Sequence, residues 1–381
     1  MQPNNKMRLP LAVIVAMNAM IGASVFTLPA ALSILVGPAA IASYALVVLL
    51  VIAIALALIR VNAKYPSSFP VYTHAAAWGG SIAGAMSSFC YIAGLTVALG
   101  LLARIAGVCI HTYLPAVSAP LWMLSSTWLF VGCNLFGAAI AQVLQYILIA
   151  LTLLPMLLII ILCARYFSFA NYVPFAPYGI KSILLASQAV IFGFFGFEVI
   201  PAMSGQVHDA RKTVPRAMVL AIIVTGLVYI LFIGSIFGAV PLHVFTSAQM
   251  PLSQAVLSLY PMHHWLGFVI DWAVIVTVWG TMLSMIMAIA SLFSELTGIS
   301  SKKSLILLGC AISAVGLIFS NIETLFALVA LCITISYTMS IMALFFMTAR
   351  KKSNIALGVI GCSATLLVMY CALEKLFTIL F

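Results

Sequence analysis

The chain has 381 residues, 65% of them hydrophobic and only 6% charged, with a mean hydropathy of +1.28. So few charges exclude a soluble globular domain and point to an all-α integral membrane protein. The net charge of +10 is spread over many short loops, which fits anchoring at a membrane face and argues against nucleic acid as a partner.

Residues 1–10 carry Lys6 and Arg8 ahead of an apolar run that continues past Pro29 to about residue 36. That run outlasts a cleaved leader and reads as a retained first span. A spanning helix needs about 20 apolar residues. Such runs fall at 9–36, 38–59, 71–105, 119–138 and 140–163, then at 180–205, 215–240, 264–296, 304–320 and 323–348, with 353–373 left over. Only Asn134-Leu135-Phe136-Gly137 separates the fourth run from the fifth. The prediction is a single transmembrane domain over 1–381 with eleven helices, in two groups of five (9–163 and 180–348) plus an additional helix.

With the N-terminus inside, twelve basic residues share the cytoplasmic side: Lys6, Arg8, Arg60, Lys64, Arg211, Lys212, Arg216, Lys302, Lys303, Arg350, Lys351 and Lys352. Only Arg104, Arg165, Lys181 and Lys375 fall elsewhere. This asymmetry supports both the span map and a multi-pass protein of the cytoplasmic (inner) membrane with a cytoplasmic N-terminus. The eight cysteines form no Cys-x-x-Cys pair and read as small apolar residues.

Two spans are interrupted. The first contains Met20-Ile21-Gly22-Ala23-Ser24-Val25-Phe26-Thr27-Leu28-Pro29-Ala30, and the sixth contains Phe195-Gly196-Phe197-Glu198-Val199-Ile200-Pro201-Ala202. Each joins a glycine to a later Pro-Ala pair, and each opens a group of five. Five crossings separate them, so they start on opposite sides. Unwinding frees backbone N–H and C=O groups where no water can satisfy them, so a ligand, an ion or a cavity must. Broken spans in corresponding places point to a transporter's midplane site, where a half-helix N-terminus suits a carboxylate and free carbonyls suit a cation. Close packing at small residues is the competing use of the same glycines.

On these stretches the chain resembles the amino acid–polyamine–organocation superfamily of transporters over roughly residues 9 to 350. Ile21-Gly22-Ala23-Ser24-Val25-Phe26 is similar to the family's glycine-rich break in helix one, with Ala23 and Ser24 as departures. Lys64-Tyr65-Pro66-Ser67-Ser68-Phe69-Pro70-Val71-Tyr72 resembles its entry to helix three, with Phe69-Pro70 replacing a glycine pair. Phe195-Gly196-Phe197-Glu198, followed by Gln206 to Ala217, is similar to its Phe-x-Gly-x-Glu helix and the loop beyond, with Gln206 in place of an acid. The resemblance implies two inverted five-helix repeats with helices one and six broken around an amino-acid substrate. Family members commonly carry twelve spans, one more than this chain.

It further implies that Gly22, Ala23 and Ser24 meet the substrate carboxylate through N–H groups, and that Ile21 offers its carbonyl to the ammonium. Phe192, Phe195, Gly196 and Phe197 flank the second break, and Phe192 matches a position where relatives place a gating aromatic. The bland alternative for each phenylalanine is packing. Trp279, mid-span in the eighth helix, is either a pocket wall or a packing residue. Glu198 is the proton-coupling candidate, because a carboxylate inside hydrocarbon costs on the order of 2.5–3.5 kcal/mol and normally faces a cavity or partner; a buried hydrogen-bonded acid is the rival reading. Asp271, near His263 and His264, reads as interfacial, and Arg104 as a snorkelling side chain. Span 140–163 holds no lysine of the kind some sodium-independent relatives use, and Ser284 alone makes a weak case for a sodium site.

The expected function is secondary active transport of amino acids by alternating access, as proton-coupled uptake or exchange, by a monomer or homodimer. A neutral amino-acid exporter and a basic amino-acid or polyamine antiporter use the same fold. An integral membrane enzyme is disfavoured: no metalloprotease, hydrolase or P-loop motif is present, and no metal or cofactor site is read from the Cys and His spacing. No filter-like repeat suggests a channel.

Overall fold

In the computed structural model, residues 6–380 are described except for 68, 137, 248–249, 320–321 and 347–351. Ser68, Gly137, Arg350 and Lys351 therefore lie outside the described residues, as do the side chains of Cys371 and Lys375. The described chain is helical. In order, α1 is Leu9–Met20, α2 Ser24–Leu35, α3 Ala40–Lys64, α4 Pro70–Tyr113, α5 Ala119–Leu135, α6 Ala138–Ala164 and α7 Ile180–Phe192. Then follow α8 Val199–Ala202, α9 Ala210–Ala239, α10 Leu252–Leu257, α11 Trp265–Thr297, α12 Ser301–Ile318, α13 Ile322–Met342 and α14 Lys352–Leu380.

Among the described residues, eight helices are long and apolar enough to cross a membrane, and α1 with α2 makes a ninth span bent by 46°. The short α5, of 17 residues, and α7, of 13, fall below that length. Helix α4 runs on to Tyr113 rather than ending near residue 105, and it kinks at Gly80, whose φ of 69° is left-handed. Glycine takes that conformation without the steric cost of a Cβ.

Helix α11 is the most enclosed span, with 83% of its apolar window buried against 33% for α6 and for α12. It packs on α1, α4, α5 and α6, while α13 lies along α4 and α14, and α9 along α1 and α3. The outward faces carry Leu49, Phe89, Leu154 and Leu231, as lipid contact requires. On the side of the basic loops, Met7 donates to the Gln206 carbonyl at 2.8 Å and accepts from the His208 N–H at 2.9 Å. That pairing fastens the N-terminal segment to the connection between α8 and α9.

Arg104 does more than snorkel. Its Nη1 donates to the carbonyls of Gly316 at 3.3 Å and Phe319 at 2.8 Å, capping the end of α12. Asp271 is half-buried and accepts a hydrogen bond from Tyr113. The seven cysteines with described side chains are free.

Candidate functional site

Both interruptions occur at the glycines and ahead of the prolines. Pro29 lies within α2, and Pro201 is the third residue of α8, where a helix has no intrahelical use for an N–H. The chain thus unwinds where backbone freedom is available, and the prolines sit in the half-helices that resume afterwards.

The first break spans Ile21 to Ala23. Gly22 donates to the Met20 carbonyl at 2.9 Å, and α2 starts at Ser24, so the first N–H groups of that half-helix have no intrahelical acceptor. Two neighbours hold the preceding carbonyls. The Thr281 hydroxyl of α11 lies 2.9 Å from the Asn18 carbonyl and 3.3 Å from that of Ile21. The Tyr229 hydroxyl of α9 lies 3.2 Å from the Met20 carbonyl. Asn18 itself donates through Nδ2 to the carbonyl and to Oε1 of Gln145 on α6, at 2.9 and 2.6 Å. Ser284 completes this group by donating to the same Oε1 at 3.1 Å.

The second break spans Gly193 to Glu198, between α7 and α8. Gly196 has φ +120°, and a Cβ there would stand 2.6 Å from the backbone carbonyl of Ala19. Only glycine allows the two broken helices to approach so closely. Glu198 is 6% exposed. Its Oε2 accepts from the Gly196 N–H at 2.9 Å, and its Oε1 accepts from the Tyr91 hydroxyl at 3.3 Å. The acid therefore satisfies the loop that its own helix has freed. Tyr229 also reaches this break, 3.0 Å from the Gly193 carbonyl, so one buried hydroxyl serves carbonyls of both broken helices.

Between the breaks lies a cavity of about 20 Å³. Of the residues expected at a site, Gly22, Ser24, Phe192 and Phe195 line it; Leu95, Thr281, Met285 and Val329 are also on its wall. Phe192 packs edge-on against Phe195 and Phe326, with ring centroids 6.1 and 4.4 Å apart. Ile21 and Ala23 are buried in the first break, and Gly196 stands against Ala19. Phe197 turns to Tyr337, 5.7 Å away. Trp279 stands apart from the cavity, against Phe130, with its Nε1 donating to Ser126 at 3.3 Å. Glu198 lines a second cavity, of about 40 Å³, on the other side of the unwound loop. Among the described residues, no three His, Cys, Asp or Glu side chains gather as a metal site needs.

Sequence reasoning missed Tyr229, Thr281, Asn18 and Gln145. Each is a polar residue inside an apolar span, which was the available signal. Which break each one serves depends on helix adjacency.

Residues 9–297 match the family model described as amino acid permease. The chain is 22% identical over 296 residues to the branched-chain amino acid permease BcaP of Bacillus subtilis, covering 72% of this chain and 63% of that protein. It is also 29% identical over 146 residues to the human cationic amino acid transporter 4, covering 37% of this chain and 22% of that protein. A stretch of 84 residues is 29% identical to the methylthioribose transporter of Bacillus subtilis, 22% of this chain and 18% of the transporter. The match thus spans less than two thirds of the length of each of these relatives.

Proposed function

Since the chain belongs to the amino acid permease family, we propose that it carries amino acids across the cytoplasmic membrane by alternating access, as proton-coupled uptake or exchange. The observation that carries this reading is the meeting of two helix breaks at one cavity. The start of α2 presents N–H groups and the positive end of a helix dipole to a carboxylate. The Met20 carbonyl at the cavity suits an ammonium, and it is held meanwhile by the Tyr229 hydroxyl, which with Thr281 also holds the nearby carbonyls of Gly193 and Ile21. An amino acid offers both charges at the spacing of one Cα.

The walls favour a neutral, apolar side chain. Phe192, Phe195, Leu95 and Val329 stand around the cavity, and among the described residues no acid lines it. The relative named as a branched-chain permease points the same way. At about 20 Å³ the cavity holds one water and no amino acid. The conformation described is therefore closed, and substrate entry requires the half-helices to part. In this reading the eleven helical segments form inverted repeats 9–163 and 180–348 with an additional helix at 353–373, the N-terminus is cytoplasmic, and Glu198 is the proton-linked group.

Uptake and counterflow in proteoliposomes test the proposal with labelled amino acids and amines under imposed proton or sodium gradients. Saturable counterflow of leucine, isoleucine, valine or methionine is expected. No transport of any amino acid under any gradient would overturn it.

A further inference from the structure

The cavity of about 40 Å³ beside Glu198 lies toward the basic loops, away from the cavity between the breaks, and its wall is largely apolar. Yet it gathers polar groups from four helices. Glu198 enters from the sixth span, His74 and Tyr91 from α4, Tyr337 from α13 and Asn62 from α3. Two of these carry an atom that is buried and without a hydrogen-bond partner, His74 Nε2 and Asn62 Oδ1, while the Tyr337 hydroxyl faces the Glu198 carboxylate. His74 is 2% exposed. Its ring is hydrogen-bonded to the backbone of Tyr65, which leaves Nε2 as the free nitrogen.

Buried polar atoms are almost always satisfied, by protein or by ordered water. Two unpaired ones beside a carboxylate, around a single cavity, describe a place for water. The volume suits one or two molecules, and His74, Asn62 and Glu198 on its wall offer polar partners of the kind a buried water needs. The second span ends at Lys64, and His74 stands one turn inside the start of α4, so the cluster reaches from the unwound loop to the loop end of the bundle.

We propose that His74 and the water beside it form a proton relay from Glu198 to the basic-loop side. This rests on the reading of Glu198 as proton-linked. Protonated Glu198 gives its proton to the bridging water, and that water passes one of its own to His74 Nε2. The products are a carboxylate and an imidazolium, and the imidazolium then releases the proton to water at the loop end. The other groups facing this path are Tyr91 and Tyr337. Helix α9 contributes only apolar side chains to the wall, and the neighbouring guanidinium, Arg60, is engaged with Asn354 Oδ1 at 2.9 Å.

Two measurements test the relay. Radiolytic hydroxyl-radical labelling of the purified protein reports bound water and needs no substrate. His74, Tyr337 and Met218 are expected to label in the wild type, and labelling of Tyr337 and Met218 to fall at least fivefold in His74→Phe. An unlabelled wild-type cavity would overturn the proposal. In proteoliposomes loaded with a pH-sensitive dye, leucine-driven acidification of the lumen is expected to fall at least tenfold in His74→Phe. Leucine counterflow, which needs no net proton movement, reports that the variant is folded, and His74→Gln gives a second variant of smaller volume change. Equal acidification by wild type and both variants sinks the relay and leaves proton coupling standing. Wild-type counterflow without acidification sinks the proton role of Glu198 and the relay with it.

Discussion

The two broken helices solve the same problem by different means. The first unwinds over three residues and borrows hydroxyl groups from α9 and α11 to hold its carbonyls. The second unwinds over six and supplies an acid of its own, with Glu198 reaching back to the Gly196 N–H. Their glycines differ as well. A methyl group on Gly22 would meet Thr281 Oγ1 at 3.4 Å, an ordinary contact, whereas one on Gly196 would strike the Ala19 backbone at 2.6 Å. The first break is thus neutral and has some room, while the second is tightly fitted and ionisable. Only the second can answer to pH, and only the first offers the start of a long half-helix to a ligand.

The largest effect that separates them is steric. Gly196→Ala must relieve a left-handed φ, a strain of about 1–3 kcal/mol, together with a backbone overlap. It is expected to abolish transport and lower the thermal unfolding midpoint in detergent, whereas Gly22→Ala keeps the fold and most of the activity. Equal tolerance at the two glycines would erase the distinction.

Glu198→Gln comes next. It preserves volume but loses a charged hydrogen bond, worth about 1.5–3 kcal/mol, so transport should fall roughly tenfold or more, with little remaining dependence on pH. A wild-type pH profile in this variant would reduce the carboxylate to a packing group.

Tyr229→Phe removes the side-chain donor to the Gly193 carbonyl and leaves the Met20 carbonyl with the Gly22 N–H alone. An unsatisfied buried group costs about 1–3 kcal/mol, so equilibrium binding of substrate should weaken roughly tenfold without loss of the fold. Thr281→Val touches the first break alone and should weaken binding by a smaller factor, about fivefold for about 1 kcal/mol. If Thr281→Val proved the more damaging of the two, Tyr229 would not be joining the breaks.

Much of this arrangement was legible in the residues. Apolar run length located helices at each place where one was expected, and glycine placement located both interruptions. The prolines misled only in detail, since unwinding needs freedom of φ and ψ, and proline restricts φ. Other features were beyond reach because they depend on which helices are neighbours. Tyr229 and Thr281 lie in spans that read as uniform apolar stretches, and nothing local shows that their hydroxyls face the breaks. Trp279 looked equally suited to a wall or to packing, and only its contact with Phe130 and Ser126 separates the two. Helix α5, at 17 residues, is shorter than the other runs of the first group.

The central claim is that the two breaks read the two charges of an amino acid at one cavity. Equilibrium binding of leucine, its decarboxylated amine and N-acetyl-leucine to the purified protein tests it most directly. The account predicts saturable leucine binding and a loss of at least a hundredfold for each analogue, because each removes one of the recognised charges. Binding of the amine as tight as that of leucine would contradict it.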